Sequence, residues 1–74
     1  MKKAERKHIY DIMIDYANNS WKACIYESER ESIYKDYESK EVLNDYIRNL
    51  EEDIECDSNR EDTKIILKLV KTLL

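Results

Sequence analysis

The sequence predicts an all-α protein, a small bundle of three or four helices in a single domain over residues 1–74. Three observations predict this class. The chain has no Gly and no Pro, the residues that shape most hairpin turns, so an all-β fold is not favoured. Its apolar residues recur at helical spacing. Two S-x-x-E capping boxes, beginning at Ser28 and Ser58, are typical of helix starts.

The first helix is predicted at about residues 3–18. Its apolar residues follow the i, i+3, i+4, i+7 pattern, and the apolar arc from Ile12 to Ile14 covers about 200° of the helical wheel. An arc this wide predicts two neighbouring elements, or one neighbour and a partner chain. The sequence Asn-Asn-Ser at 18–20 predicts the end of the helix, because Asn tolerates the left-handed conformation found at helix ends.

Two further helices are predicted at about residues 20–38 and 40–56, with one long helix over both ranges as the alternative. Residues 21–26 fit either a helix or a strand, and a helix is preferred because a single strand would have no partner. The capping box of Ser28 and Glu31 offers a separate start within this span. A regular apolar stripe follows, formed by Leu43, Tyr46, Ile47, Leu50 and Ile54.

The last helix is predicted at about residues 59–73, after the capping box of Ser58 and Glu61. Its apolar arc is again about 200° wide. A core of this size contributes only ~3–5 kcal/mol. Two helices with such wide apolar arcs therefore also allow a homodimer. One narrow basic face is formed by Lys64, Lys68 and Lys71.

Charge is unevenly distributed along the chain, although the formal net charge is only −4. Residues 27–57 contain twelve acidic and four basic residues, whereas residues 1–8 and 64–74 each carry a net charge of +3. Packed helices that neutralise one another's surfaces would explain this pattern. An acidic docking face for a basic partner is compatible with it.

The residues needed for catalysis are not found together. Without Gly there is no phosphate-binding loop and no nucleophile elbow. His8, Asp11 and Asp15 lie near one helix face, but the further ligand that a zinc site requires is not indicated. Cys24 and Cys56 have no adjacent base, and buried apolar roles are expected for them. We therefore expect no enzyme, no metal site and no cofactor.

Membrane and DNA partners are not favoured. The chain contains no run of 18 apolar residues and no secretory signal, so a cytoplasmic protein with reduced thiols is expected. A DNA-binding helix would be basic, whereas the middle of this chain is acidic and would be repelled by phosphates.

The tyrosines are the most informative residues for function. The chain has six Tyr and one Trp but no Phe. Tyr is favoured where one end of a side chain is apolar and the other is wet, as in binding interfaces. The candidate partner-binding surface consists of Tyr26, Tyr34, Tyr37, Glu27, Glu31, Asp36 and Glu38.

These observations lead to one functional hypothesis and two alternatives. The leading one is a small non-enzymatic regulator or inhibitor that binds a protein with a basic surface. Its size is typical of phage and mobile-element proteins, and its many Lys, Ile, Asn and Tyr residues, whose codons are AT-rich, favour an AT-rich genome. Its target could be a host defence nuclease or another nucleic-acid-handling protein. The acidic face would then imitate nucleic acid, or simply be solvated. The alternatives are a structural, self-associating helical dimer and a small DNA-binding transcription regulator.

Overall fold

A computed structural model, which describes residues 2–74, confirms the all-α prediction. No strand lies in this part of the chain, and none of its helices is long and apolar enough to cross a membrane. A short 3-10 turn (Glu27–Glu29) directly precedes the second helix. The four α-helices are α1 (Lys3–Ser20), α2 (Arg30–Asp36), α3 (Lys40–Cys56) and α4 (Glu61–Lys71).

The chain divides into two units. The first ends at Glu38 and contains α1, the 3-10 turn and α2. The second runs from Ser39 to Leu74 and contains α3 and α4. Within the first unit α1 contacts α2, and within the second α3 packs along α4.

Helix α1 continues two residues beyond the predicted end at Asn18. Its last turn is closed by Trp21, whose backbone N–H donates to Ala17 at 2.9 Å. The side chain of Asn18 does not end the helix but holds the following loop, because its amide donates to the Ile25 carbonyl at 3.2 Å and its oxygen accepts the Ile25 N–H at 2.7 Å. The wide apolar arc is buried in the single chain through Ile9, Tyr10, Met13, Ile14, Tyr16 and Ala17.

The prediction of a helix over residues 21–26 is wrong. The chain turns back here: the Ala23 N–H donates to Ala17 at 3.2 Å, and the ring of Trp21 packs edge-to-face on Tyr16 at 5.2 Å between centroids. Lys22 and Cys24 have φ values of 53° and 54°, in the left-handed region that interrupts a helix. Cys24 is also exposed, which corrects the expectation that it is buried.

The second helix is shorter than the predicted 20–38 and begins differently. Ser28 lies inside the 3-10 turn and does not cap a helix; instead the carboxylate of Glu29 accepts the backbone N–H of Tyr26 at 3.5 Å. Residues 37–39 are not helical, so α2 and α3 are separate helices and the single long helix is excluded. The physical reason is visible in the sequence, because the apolar residues of 33–37 do not share the stripe that begins at Leu43.

Helix α3 has the predicted bounds and buries the predicted stripe. Four of its apolar residues are buried, whereas Ile54 is half-buried and Cys56, at the end of the helix, is exposed. The exposure of Cys56 again corrects the expectation of a buried thiol. The buried residues of α3 are Leu43, Tyr46, Ile47 and Leu50.

Helix α4 begins at Glu61, two residues after the predicted start, and the Ser58 capping box does not form. Asp57 shapes the connection instead, since its side chain accepts the Asn59 N–H at 3.1 Å and its carbonyl accepts the Arg60 N–H at 3.3 Å. The buried face of the last segment consists of Thr63, Ile66, Val70 and Leu73.

The left-handed backbone at Cys24 gives a prediction about stability. Cys24→Gly should raise the free energy of unfolding by about 0.5–1 kcal/mol, because a Cβ in this region costs about 1–2 kcal/mol and the extra freedom of Gly in the unfolded chain cancels part of that gain. Ala23→Gly is the matched control and should not stabilise, since Ala23 does not have a positive φ. Urea unfolding followed by circular dichroism measures both. A loss of stability in Cys24→Gly would contradict the prediction.

Candidate binding surface

Arg30, the first residue of α2, is the centre of an ion-pair cluster in the first unit. Its guanidinium nitrogens lie 3.0 Å from Asp11 and 2.9 Å from Asp15, which are one turn apart on α1. A third nitrogen lies 2.7 Å from Glu27 in the 3-10 turn. The planar fork of an Arg side chain can serve several carboxylates at once. The cluster therefore joins α1, the turn and α2 at one point.

The carboxylates of this cluster stabilise the positive charge of Arg30. The pKa of Arg30 is raised above its ordinary value, chiefly by the side-chain hydrogen bond to Asp15 and further by those to Asp11 and Glu27, while partial burial opposes them. The side chain of Arg30 is 21% exposed, so it is better shielded from solvent than any of its three partners. Screening by salt still reaches the exposed carboxylates.

Tyr34, one turn further along α2, adds a second tie to α1. Its hydroxyl donates to the same Asp11 oxygen that Arg30 contacts. This hydrogen bond raises the pKa of Tyr34, and burial raises it further. The Tyr34 ring stacks on Tyr10 of α1, with 6.0 Å between centroids. Charge and ring packing thus hold the short helix in one position.

Tyr37 is buried, and this corrects its predicted place on a contact surface. Only 7% of the residue is exposed, and its ring lies 5.7 Å from the ring of Tyr10. Burial, with a smaller contribution from the charge of Asp36, raises the pKa of Tyr37 to about 12. Tyr10 provides an apolar contact that the charged residues next to Tyr37 in the sequence do not, so Tyr37 packs inside the protein.

One exposed part of the predicted surface lies around the start of α2. Tyr26 is 69% exposed, and Glu27, Glu29 and Glu31 are exposed around it. We call these four residues the acidic turn. The turn is braced from within, because Glu27 pairs with Arg30 and Glu29 accepts the backbone N–H of Tyr26. It presents one aromatic ring among three carboxylates.

The other predicted residues lie further along the unit and do not join the acidic turn. Tyr34 is half-buried, as described above. Asp36 is exposed at the last residue of α2, and Glu38 is exposed in the connection that follows. Of the predicted set, Tyr26, Glu27 and Glu31 thus lie with Glu29 around the start of α2, whereas the others lie towards its end or after it.

An open groove lies where the first turns of α1 meet the end of α2, and we call it the basic groove. Its volume is about 710 Å³. Arg6 lies over the ring of Tyr10 at 5.9 Å, and Lys7 lies over the ring of Tyr34 at 5.8 Å. Two cations of the groove thus make cation–π contacts with tyrosine rings. Its lining residues are Lys3, Ala4, Arg6, Lys7, Tyr10, Tyr34 and Glu38.

Neither the ion-pair cluster nor the basic groove was predicted from the sequence. The sequence indicates Asp11 and Asp15 only as candidate metal ligands with His8, whereas in the structure both carboxylates pair with Arg30. No group of three or more His, Cys, Asp or Glu in residues 2–74 is placed to hold a metal ion. Two features of the sequence indicate the ion-pair cluster: Asp11 and Asp15 are spaced i, i+4 on one predicted helix, and Arg30 is an isolated cation in an acidic run. The i, i+3, i+4 spacing of Lys3, Arg6 and Lys7 was the corresponding signal for the groove.

Comparison with known proteins adds no further information on this surface. No family model matches the chain, and no curated protein or solved structure matches it either. A proposal of its function therefore rests on the geometry and charge of the chain itself.

The ion-pair cluster predicts a specific ranking of thermal stabilities. Arg30→Gln should lower Tm, because three carboxylates lose their shared cation, and Arg30→Lys should lower it less, because a Lys keeps the charge but loses the fork. Raising the salt concentration should narrow the difference between the wild type and Arg30→Gln. Thermal melts at low and high salt measure this.

Arg48→Gln is the control for the Arg30 variants. Arg48 pairs with Asp45 at 3.0 Å on an exposed helix face, and the loss of such a pair changes stability little. If Arg30→Gln melted at the temperature of the wild type, the cluster would not hold the unit together.

Tyr37 predicts a loss of stability in alkali. In the unfolded chain a Tyr ionises near pH 10, whereas the pKa of the folded Tyr37 is about 12. Its contribution is therefore fully present below pH 10 and is lost as the pH rises towards 12. Free energies of unfolding in urea, measured at several alkaline pH values, should fall less steeply for Tyr37→Phe than for the wild type. Identical slopes would refute this role of burial.

Proposed function

We propose that this protein is a small non-enzymatic regulator or inhibitor that binds a partner protein through its acidic turn. The observation that carries the proposal is the exposed Tyr26 among Glu27, Glu29 and Glu31. Interface hot spots are enriched in Tyr, and charged residues around them steer the partner and set the orientation. The partner therefore presents a basic surface.

The brace behind the acidic turn supports a binding role. Arg30 fixes Glu27 from the interior side, while most of the Glu27 side chain, 87%, stays in contact with solvent. A surface held in its bound conformation loses less entropy on association than a flexible one. The ion-pair cluster thus leaves the exposed carboxylates and the Tyr26 ring ready for a partner.

The chemistry of the acidic turn favours one class of partner. Closely spaced carboxylates resemble a short stretch of phosphates, so a nuclease or another nucleic-acid-handling protein is the class that we propose. A phage or mobile-element inhibitor of such a host protein, acting in the cytoplasm, is the biological setting that this chemistry suits. Direct DNA binding has less support, because the acidic turn would repel a phosphate backbone.

The experiment is quantitative affinity capture from a host lysate with three forms of the full chain. Tyr26→Ala combined with Glu31→Lys removes the ring and reverses one exposed charge of the acidic turn. Glu51→Lys combined with Glu52→Lys, at exposed positions of α3, is the control. We expect a stoichiometric basic partner that the wild type and the control retain, and that the Tyr26 variant loses by at least about tenfold in affinity.

Two results would contradict the proposal. One is equal retention of the partner by all three forms, which would place binding elsewhere on the chain. The other is capture of no stoichiometric protein by the wild type. Circular dichroism of each form ensures that a lost interaction does not reflect a lost fold.

A further inference from the structure

The α1–α2 unit has opposite charges at its two ends. Lys7 lines the basic groove, and Asp15 pairs with Arg30, which also pairs with Glu27 of the acidic turn. These two α1 residues are eight positions apart, or about 12 Å along the helix axis. The contacts of α2 run in the opposite direction, since Arg30 meets Asp15 while Tyr34 lies beneath Lys7. The unit is therefore an antiparallel helix pair with a positive end and a negative end.

We propose that the acidic turn of a second copy of this chain docks into the basic groove, in an antiparallel dimer. A two-fold axis that crosses α1 near Asp11 would place each groove opposite the acidic turn of the other copy. Such an interface uses the same surface on both chains, so it closes after two copies. Both contacts then form at once, which strengthens two sets of exposed charge pairs that would be weak singly.

The two surfaces are complementary in chemistry. The groove carries three cations and one acid, Glu38, whereas the acidic turn carries three carboxylates. Tyr26 is the large apolar side chain that this unit leaves exposed, and the groove offers the alkyl stems of Lys3 and Lys7 to receive it. The acidic turn also lies at a helix start that the ion-pair cluster holds in place.

A second copy is favoured over a nucleic acid as the occupant. Bases need free aromatic faces for stacking, but the Tyr10 ring is buried and Lys7 already lies over the Tyr34 ring. Association through the apolar arc of α1 is not favoured either, because that arc is buried in the single chain. Charge complementarity, with Tyr26 as the one aromatic anchor, remains as the basis for pairing.

This dimer does not depend on the proposed function, although it uses the acidic turn as well. A basic partner protein would compete with the second copy for the same residues. Dimerisation would thus keep the acidic turn covered until such a partner arrived. The test of the dimer uses the purified protein alone, so its failure is separable from the failure of partner capture.

Sedimentation equilibrium of the purified full chain tests the proposal. At low salt, over about 10 µM to about 1 mM protein, the mean mass should rise from one chain towards two. About 0.5 M salt should return it towards one. Lys3→Glu with Lys7→Glu should weaken the dimer at least about tenfold, whereas Lys64→Glu with Lys68→Glu, the same charge change on α4, should not. A monomer at every concentration would overturn the proposal, as would equal weakening by both variants.

A charge-swap experiment tests the antiparallel pairing directly. Glu29→Lys with Glu31→Lys makes the turn basic and avoids the direct partners of Arg30, so this variant should be monomeric alone. Mixed with the Lys3→Glu, Lys7→Glu variant it should form a one-to-one heterodimer, because both contacts in that pair join opposite charges. Failure of the mixture to associate, when each variant keeps the helical content of the wild type, would refute the antiparallel pairing.

Discussion

The ion pairs of Arg30 with three carboxylates are the interaction on which the first unit depends. Helix α2 has only seven residues, far fewer than the ~12–15 that an isolated helix needs to be even marginally stable in water. None of its residues is fully buried, so an apolar face does not explain its existence. Its position follows from Arg30 at its first residue and from the ring and hydroxyl of Tyr34 one turn later.

The same constraint determines where charge appears on the surface. Because Arg30 engages Asp11 and Asp15, the acidic residues of α1 are neutralised where the two helices meet. The cations near the start of α1 line the basic groove, and the exposed carboxylates on either side of Arg30 belong to the acidic turn. A short helix fixed by one Arg thus separates a positive end from a negative end.

The helix α3 of the second unit could be predicted from the sequence, whereas the loop and the short helix of the first unit could not. In α3 the apolar stripe has helical period and lies on one face, so local pattern and tertiary packing agree. The helix prediction for residues 21–26 is wrong because contacts with α1 determine their conformation. The Asn18 side chain is hydrogen-bonded to the Ile25 backbone, and Trp21 packs on Tyr16. Tertiary contacts also determine which of the predicted surface tyrosines are exposed and which are buried. Tyr37 is buried with its ring against Tyr10, a contact that no local pattern shows, whereas Tyr26 is exposed.

The absence of Phe acquires a different meaning from the one that the sequence alone favours. A tyrosine-rich, Phe-free sequence is typical of wet binding faces, yet two of these hydroxyls serve the interior: Tyr34 donates to Asp11, and Tyr10 accepts from Arg6 at 3.3 Å. Tyr26 is the aromatic side chain that the first unit leaves largely exposed. Such a surface has abundant charge and little apolar area. Charge sets the rate and orientation of encounter, whereas a single ring limits how long a complex lasts. The proposed binding should thus be fast, salt-sensitive and dependent on one side chain.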